Sequence, residues 1–371
     1  MDKDTIKRLI IEYQQFVANI TLIEREIHLS HQLNYVFVGL RRAGKSYLMY
    51  QQIQSLLNDG HQPEEILYFN FEDDRLVNLT VEDLDLIKVS YEELYPHKPI
   101  FFLDEIQIVE HWEKFARRLA DQQYRVYITG SNAKMLSAEI ATTLGGRYIV
   151  QNVYPFSFSE FLKASKIEIG PTWYYKNRTE IVRTFSDYFS YGGLPELMLI
   201  ETIEKRQWLS NLFNKIFFGD LITRYSIRND LAMKVLIRKL AESVKQPSSF
   251  NRLTNIVSTT GAKVSTDTII DYLNFLQATW LFFSLENYAS KLVEKISNRK
   301  YYFIDNGLLN LFLIDPVTSL LENIVAISLK KKYEEEETTS KKSKSDKKEE
   351  DKEKESTQDD SSIMIRRVVG L

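Results

Sequence analysis

A glycine-framed loop that carries Lys45 and Ser46 is the stretch of the chain best suited to chemistry. Its pattern is Gly39-x-x-x-x-Gly44-Lys45-Ser46, and it follows an apolar run over residues 35–38. Glycines let the backbone turn so that consecutive N–H groups point at phosphate oxygens. A lysine at this position reaches the β- and γ-phosphates, and the hydroxyl supplies an oxygen to Mg²⁺. The spacing therefore predicts a phosphate-binding loop between a buried strand and a helix.

The other residues of this loop complete the predicted nucleotide-binding set. They are Leu40, Arg41, Arg42 and Ala43, together with Tyr47 at the start of the next helical stretch. We expect ATP as the ligand and Mg²⁺ as its cofactor. The two arginines are directed either at the nucleotide or at solvent, and the sequence leaves both arrangements open.

Two acidic residues supply the second half of the predicted site. Asp104 and Glu105 follow the apolar run over residues 100–103, which reads as a buried strand. A carboxylate at this position joins the Mg²⁺ shell, and the next one orients and deprotonates an attacking water. We therefore predict Asp104 and Ser46 as metal-binding residues and Glu105 as the catalytic base.

Polar residues also end the fourth predicted strand, which we expect beside the strand of the phosphate loop. They are Thr129, Ser131 and Asn132. A side chain there contacts the γ-phosphate or the attacking water, and Ser131 or Asn132 is favoured for that role. The alternative for Asn132 is a helix cap, since asparagine is a strong N-cap residue.

Arg147 follows a Gly-Gly turn and is predicted to lie at the rim of the nucleotide cleft. From there it would neutralise charge in the transition state, in its own site or in a neighbour's. A contact with a neighbour needs a head-to-tail interface, so a homo-oligomer stays open. The alternative is a surface arginine beside a turn.

The elements that must position these side chains alternate in type. Apolar runs alternate with helical patterns through residues 35–150, which is typical of a parallel sheet covered by helices on both faces. The predicted fold class is therefore α/β with a P-loop. Beyond about residue 153 the pattern becomes mostly helical. Three helices and a β-hairpin within 206–305 predict a winged-helix-like region.

Composition limits the kinds of site, partner and cellular location that the protein can have. The chain has 371 residues, a net charge of −3 and no cysteine, which excludes disulfides and thiolate metal sites. That charge gives no global case for binding nucleic acid or membrane. No apolar run approaches the roughly 18–20 residues of a transmembrane helix, and the charged N-terminus is not a signal peptide. We expect a cytoplasmic protein with no membrane contact.

Taken together, the motifs resemble those of the bacterial and archaeal AAA-type ATPases that carry a C-terminal DUF4143 domain. The resemblance rests on residues 39–46, 104–107 with Trp112, 129–132, 146–147, 155–161, 192–195 and 321–323. It implies an ASCE-type P-loop core, a winged-helix segment and a truncated or degenerate C-terminal domain related to restriction-endonuclease folds. Glu322 remains, but the other carboxylates and the lysine of a nuclease site have no match, so no nuclease activity is expected.

The predicted organisation follows from these boundaries. Its parts are an N-terminal helix packing on the core (1–30), the ATPase domain (31–153), a helical connector (154–205), a winged-helix-like domain (206–305), a remnant of the DUF4143-type domain (306–329) and a charged tail (330–371). The tail is rich in Lys, Glu, Asp, Ser and Thr up to residue 362 and is predicted to be disordered.

The favoured function is ATP hydrolysis that drives a conformational change in the attached winged-helix and C-terminal module. The alternatives are a slow nucleotide-dependent switch or scaffold, and a DNA-binding regulator. The expected recognition helix over 267–274 is acidic, which disfavours phosphate contacts. A wing contact would use the nearby basic residues Lys263, Lys291, Lys295, Arg299 and Lys300. DNA and a protein therefore both stay open as partners of this region.

Overall fold

The structure is a computed structural model, and it describes residues 2–76, 78–131, 138–167, 170, 172–287 and 298–334. The chain divides into two compact units, Met1–Asn323 and Ile324–Leu371. The nucleotide site and the helical region that follows it both belong to the first unit.

A five-stranded sheet forms the centre of the N-terminal half. Its strands are β1 (Asn34–Val38), β2 (Ile66–Asn70), β3 (Ile100–Asp104), β4 (Val126–Gly130) and β5 (Tyr148–Asn152). The order is β2-β3-β4-β1-β5, and every pairing is parallel. The predicted α/β P-loop architecture is therefore confirmed, and β4 lies beside β1 as expected.

Helices cover both faces of this sheet. They are α1 (Lys3–Asn19), α2 (Lys45–Asn58), α3 (Val81–Leu94), α4 (Trp112–Asp121) and α5 (Ala138–Leu144). Successive strand residues enter different cores: Val36 and Phe101 pack in one cluster, whereas Phe37 and Phe102 pack in the other. Side chains alternate between the faces of a sheet, so strands covered on both sides must be apolar throughout.

The N-terminal helix packs on this core but is shorter than predicted. Ile6, Leu9, Ile10 and Val17 are buried at helical spacing, and α1 contacts β2 and α3. The helix ends at Asn19 because the next residue is extended, and residues 20–33 contain no further helix. The predicted helix over 1–30 is therefore wrong in its second half.

The rest of the first unit is mostly helical, as expected. Its helices are α6 (Phe158–Ala164), α7 (Trp173–Lys176), α8 (Arg178–Tyr191), α9 (Thr202–Lys215), α10 (Asp230–Glu242), α11 (Phe250–Thr259), α12 (Thr266–Ala278) and α13 (Asn306–Asn310). A π-helical segment, Ile216–Thr223, continues directly from α9. Three antiparallel strands, β6 (Ser248–Ser249), β7 (Phe282–Glu286) and β8 (Asn298–Phe303), form a small sheet in the order β6-β8-β7.

A buried polar cluster holds α8, α13 and β8 together, and we name it the Asp305 cluster; its members are Gly192, Gly193, Asp305, Asn306 and Asn323. The Asp305 carboxylate accepts hydrogen bonds from the backbone N–H groups of Gly193 (2.8 Å), Gly307 (2.9 Å) and Leu308 (3.3 Å). A Cβ atom on Gly192 would lie 2.1 Å from a carboxylate oxygen of Asp305. Glycine is therefore required at residue 192 by close approach.

The two asparagines of the Asp305 cluster bond to backbone from several segments. The Asn323 side chain accepts from the Phe303 N–H (2.9 Å) and donates to the Phe303 carbonyl (3.1 Å) and to Asn306 (3.0 Å). The Asn306 amide donates to the carbonyls of Phe189 and Leu320. These contacts give the Gly-Gly-Leu-Pro and Glu-Asn motifs a structural role.

The second unit is described over 324–334, and these residues are helical. Lys330 pairs with Glu334 at 2.8 Å, the spacing at which opposite charges stabilise a helix. The predicted disorder therefore does not begin at residue 330, and the remainder of the predicted tail, 335–371, lies outside the described residues. Within the described ranges, the helices lack the length and apolar character needed to cross a bilayer.

Candidate functional site

The phosphate loop lies between β1 and α2, and its glycines are required by close contacts. A Cβ on Gly39 would lie 2.1 Å from the Val153 carbonyl oxygen, since the loop passes close to the chain beyond β5. Gly44 has a φ of +93° and immediately precedes α2, so it combines a left-handed conformation with the N-cap position. The first N–H groups of α2 are thus available to an anion.

Lys45 is buried at this site, with 5% of its surface exposed. Its ammonium group donates to the carbonyls of Gly39 (3.2 Å) and Leu40 (3.1 Å) and lies 4.0 Å from Glu105. Burial lowers the pKa of Lys45, although the charge of Glu105 opposes the shift. A phosphate would provide the strong negative partner that this buried cation otherwise has only at a distance.

Asp104 ends β3 and is 2% exposed. Burial raises its pKa, although the hydroxyl groups of Thr129, Tyr68 and Ser46 act in the opposite direction. Thr129 donates to one carboxylate oxygen, and Tyr68 donates to the other at 2.7 Å. These bonds fix the carboxylate beside Ser46, and lone pairs remain on both oxygens for a metal-bound water. The predicted metal-binding pair is thus brought together.

Glu105 is held in an unusual backbone conformation. Its φ is +56°, which costs a non-glycine residue about 1–2 kcal/mol. The Glu105 N–H donates to the Thr129 hydroxyl at 2.8 Å, and its carboxylate accepts from the Ser131 N–H (3.3 Å) and hydroxyl (3.2 Å). Backbone strain of this kind is typical of functional sites.

Gln107 ends the 104–107 motif on which the resemblance rests, but the sequence patterns assigned it no role at the site. Its amide donates to the Glu105 carboxylate, and its carbonyl oxygen is buried without a partner among the described residues. A buried acceptor beside a carboxylate suits a water molecule. The signal for Gln107 was its position two residues beyond Glu105.

The polar residues at the end of β4 have two different roles. The Thr129 hydroxyl contacts Asp104 and Glu105, so it positions those two residues rather than extending toward the γ-phosphate. Ser131 contacts Glu105 directly. Asn132 lies outside the described residues.

Both arginines of the loop contact protein side chains. Arg41 pairs with Asp220 at 3.2 Å and with Glu72 at 3.4 Å. Arg42 pairs with Glu196, and its guanidinium lies 5.6 Å from the centre of the Trp208 ring. Arg42 is exposed to solvent, as one of the two alternatives predicted, whereas Arg41 is partly buried against these carboxylates.

The other three residues predicted to contact the nucleotide, Leu40, Ala43 and Tyr47, differ in how exposed their side chains are. Leu40 and Ala43 are fully buried, so only their backbone is available to a phosphate. Tyr47 is 52% exposed and packs against Tyr50 at 5.4 Å between ring centres. Tyr47 therefore lies on the open side of α2.

Arg25 lies outside the phosphate loop but bonds to its backbone, and no sequence pattern identified it. It is 5% exposed and donates to the Ala43 carbonyl (2.9 Å), the Tyr154 carbonyl (2.8 Å) and Glu160 (2.7 Å). Burial alone would raise the pKa of Glu160, but Arg25 together with the backbone N–H groups of Ser157 and Glu26 lowers it. The signal for Glu160 was a capping box with Ser157; Arg25 has no local pattern.

Arg147 does not lie at the rim of its own nucleotide cleft, so that prediction is wrong. It precedes β5, whose first residue pairs with Asn34 at the start of β1, whereas the phosphate loop follows the end of β1. Four residue steps of about 3.3 Å put roughly 13 Å of strand between these two edges of the sheet. Arg147 pairs there with Asp121.

Together, the loop, the acidic strand end and the sheet order define a P-loop nucleotide-binding protein. Comparison with known sequences agrees: residues 32–162 match an AAA domain. An uncharacterized protein of Methanocaldococcus jannaschii is 32% identical over 336 residues, covering 89% of this chain and 74% of that protein. One from Haemophilus influenzae is 32% identical over 300 residues, covering 77% and 72%. The chain belongs to this family of AAA-type ATPases.

Solved structures show more distant likeness. The Walker-type ATPase of Pyrococcus abyssi has a TM-score of 0.46 and 11% identity, covering 84% of this chain and 95% of that one. AMPPCP-bound DnaA from Aquifex aeolicus has a TM-score of 0.30 and 14% identity, covering 73% and 87%. These scores are low, so the fold assignment rests on the sheet topology described above.

The C-terminal resemblance needs correction. Residues 182–318 match a domain of unknown function, DUF8612, and not DUF4143. The expected remnant of a nuclease-like domain over 306–329 is therefore wrong, and the structure gives a reason for the motifs behind it. Asn323 belongs to the Asp305 cluster, and Glu322 accepts from Lys300 (2.7 Å) and Tyr302 (3.0 Å).

Helix α12, the expected recognition helix, presents acidic residues to solvent. Asp267 and Asp271 are exposed on it. Among the basic residues expected nearby, Arg299 pairs with Glu286 and Lys300 with Glu322. Lys291 and Lys295 lie outside the described residues.

Proposed function

We propose that this protein binds Mg-ATP at the loop over 39–46 and hydrolyses it to ADP and phosphate. The observation that carries the proposal is the buried ammonium of Lys45, which lies 4.0 Å from Glu105 and otherwise contacts loop carbonyls. A buried charge without a close ion pair is costly, and a triphosphate supplies the missing partner. The AAA-domain match over 32–162 supports the same activity.

The proposed roles follow the contacts around the loop. Backbone amides over 39–46 bind the phosphates, and Lys45 contacts the β- and γ-phosphates. Ser46 and Asp104 would hold Mg²⁺, which supplies charge neutralisation on the phosphates when it is bound. Glu105 removes a proton from the attacking water. The Gln107 carbonyl oxygen, which has no partner among the described residues, accepts a hydrogen bond from that water.

Ser131 and Asn132, which follow β4, are proposed to contact the γ-phosphate or the attacking water. Arg147 is proposed only as a contributor to a neighbouring subunit's site, because it lies at the opposite edge of its own sheet. That role requires head-to-tail assembly.

Two lysine variants test the proposal, one at Lys45 and a control at Lys205. We expect Lys45→Met to lose calorimetric binding of Mg-ATP, by about 100-fold or more, because the close charge-assisted contact is removed. Its thermal stability without nucleotide should not fall, since a poorly paired buried charge is replaced by an apolar chain of similar length.

Lys205 provides the matched control. It is also 5% exposed, but it forms a close ion pair with Asp187. We expect Lys205→Met to lose stability and to keep nucleotide binding. Unchanged affinity for Mg-ATP in Lys45→Met would refute the proposed site.

A slow nucleotide-dependent switch is the second candidate function. The observation that favours it is the Glu105 carboxylate, which already accepts hydrogen bonds from Ser131 and Gln107. These bonds occupy lone pairs that an attacking water would need in order to contact the carboxylate. A single-turnover measurement separates the two functions, since an ATPase releases phosphate far faster than a switch.

For the helical region we propose a packing or protein-interaction role rather than DNA recognition. A winged-helix-like arrangement over 230–303 stays a proposal, and the three helices and small sheet there support it. The exposed face of α12 is acidic, and acidic side chains repel the phosphate backbone. Filter binding to duplex DNA at low salt should therefore be weak.

A further inference from the structure

Both arginines of the phosphate loop contact one continuous helical run, formed by α9 and the π-helical segment. Arg42 lies over the ring of Trp208 on α9. Arg41 donates to both carboxylate oxygens of Asp220, with Nε at 3.2 Å and Nη2 at 3.4 Å. The loop that would surround a phosphate is thus attached to a helix more than 150 residues further along the chain.

Arg41 belongs to the loop that would surround the phosphates, two residues after Gly39. Its guanidinium also donates to Glu72 at 3.4 Å, just beyond the carboxyl end of β2. The guanidinium therefore lies at the edge of the sheet where the nucleotide is proposed to bind. Arg41 is also a planar donor suited to bidentate contact with either a carboxylate or a phosphate.

Asp220 can release Arg41 without becoming an unpaired buried charge. Its side chain is 8% exposed, and one of its oxygens also forms an ion pair with Arg224 at 2.9 Å. Leaving a buried carboxylate without a partner is strongly unfavourable. Because Arg224 stays in place, exchange of Arg41 from Asp220 to a phosphate avoids that penalty.

The segment that carries Asp220 has an uncommon backbone conformation. Residues Ile216–Thr223 are π-helical, and the Thr223 hydroxyl donates to the Phe218 carbonyl five residues earlier. π-Helical geometry is rare and appears mostly at functional sites. A Cβ built on Gly219 meets no described atom within 4 Å, so side-chain packing does not hold the segment at that residue.

We propose that the Arg41–Asp220 ion pair determines discrimination between nucleoside triphosphate and diphosphate. In the nucleotide-free protein Asp220 holds Arg41. A γ-phosphate competes for the guanidinium, so Arg41 moves to the phosphate and Asp220 keeps Arg224. A diphosphate lacks that group and leaves the pair intact. This rests on the proposed function, namely that the loop over 39–46 binds ATP.

Calorimetric dissociation constants for ADP and a non-hydrolysable ATP analogue, both with Mg²⁺, test this proposal. Asp220→Asn should tighten binding of the analogue by about five-fold or more, the lower end of usual coupling between sites. Binding of ADP should stay the same. Arg41→Gln should reduce the preference for the triphosphate, and Asp220→Asn should have no further effect in the Arg41→Gln background.

Asp230→Asn is the matched control, because Asp230 also loses an ion pair, with Lys234 at 3.0 Å, but on the surface of α10. It should change neither constant. An equal change for ADP and the analogue in Asp220→Asn, or no change, would overturn the proposal, as would an effect that persists in the Arg41→Gln background.

Hydrogen exchange in the wild-type protein gives a readout that does not depend on a variant folding. Amides over 216–223 should exchange faster with the analogue than with ADP, and equal exchange contradicts the proposal. Failure of the wild type to bind either nucleotide would instead refute the proposed function itself, and this inference with it. If the wild type binds both nucleotides but Asp220→Asn does not change the preference for the analogue over ADP, only this inference is refuted.

Discussion

The nucleotide site and the Asp305 cluster are both built from buried polar residues, but they differ in how those residues are satisfied. The Asp305 carboxylate accepts from three backbone N–H groups, and Asn323 bonds to one backbone residue in both directions. At the nucleotide site, Lys45 lies 4.0 Å from its nearest carboxylate, and Gln107 keeps a buried oxygen without a partner in the described part of the chain.

This difference separates a structural motif from a chemical one. Saturated polar groups stabilise one arrangement and have no capacity left for a ligand. Incompletely paired groups cost stability and keep that capacity. Substitutions in the two regions should therefore affect different measurements.

The largest effect is expected at Glu105. Glu105→Gln should bind Mg-ATP and lower turnover by about 100-fold or more, because the amide cannot accept the proton of the attacking water. Steady-state phosphate release checks this, and Glu110→Gln serves as a control because Glu110 is an exposed acid nearby. Turnover at the wild-type rate in Glu105→Gln would show that Glu105 is not the catalytic base, and the contrast with the Asp305 cluster would then fail.

An intermediate effect is expected in the Asp305 cluster. Gly192→Ala should lower the free energy of unfolding by about 2–5 kcal/mol, from left-handed strain and overpacking against Asp305. Gly261→Ala is the control, since Gly261 has a φ of +87° and no atom within 4 Å of a built Cβ. Chemical denaturation gives both values. Equal losses would show that the Asp305 contact contributes nothing.

Nucleotide affinity completes the test of Gly192→Ala. Below its melting temperature the variant should bind Mg-ATP nearly as the wild type does, because Gly192 contacts the Asp305 cluster and not the loop. If Gly192→Ala instead lost affinity for Mg-ATP without losing stability, the Asp305 cluster would not be purely structural and the comparison would fail.

The smallest effect, with opposite sign, is expected at Asp104. Its folded-state pKa is raised mainly by burial, so the folded protein binds this proton more tightly than the unfolded chain does. Asp104→Asn mimics the protonated form and should raise stability at neutral pH by about 1 kcal/mol. The gain should shrink as pH falls through the folded-state pKa, because the wild-type carboxyl then becomes neutral as well.

Denaturation at two pH values measures this gain, and Mg²⁺-dependent ATP binding should weaken in the same variant. Asp74→Asn is the control, since Asp74 is exposed and its replacement should be nearly neutral. A stability gain that grows toward low pH would contradict the assigned sign.

Sequence patterns predicted those parts of the site whose residues are close together in the chain. The glycine loop, Asp104 and Glu105 each follow an apolar strand, and parallel strands bring their carboxyl ends to one edge of the sheet. The same rule explains the error at Arg147: a residue that precedes a parallel strand lies at the other edge. Asp220 and Arg25 had no local pattern, because only tertiary packing brings them to the loop.

Arg25 also bears on where a working piece of this protein begins. The AAA-domain match starts at residue 32, yet Arg25 bonds to the Ala43 carbonyl inside the phosphate loop. Its other contacts, Tyr154 and Glu160, lie at the far end of the same match. A recombinant fragment cut at the match boundary would keep every motif residue and lose the guanidinium that joins both ends of the domain. A fragment that keeps these contacts must therefore begin before Arg25, within or ahead of the irregular segment over 20–31.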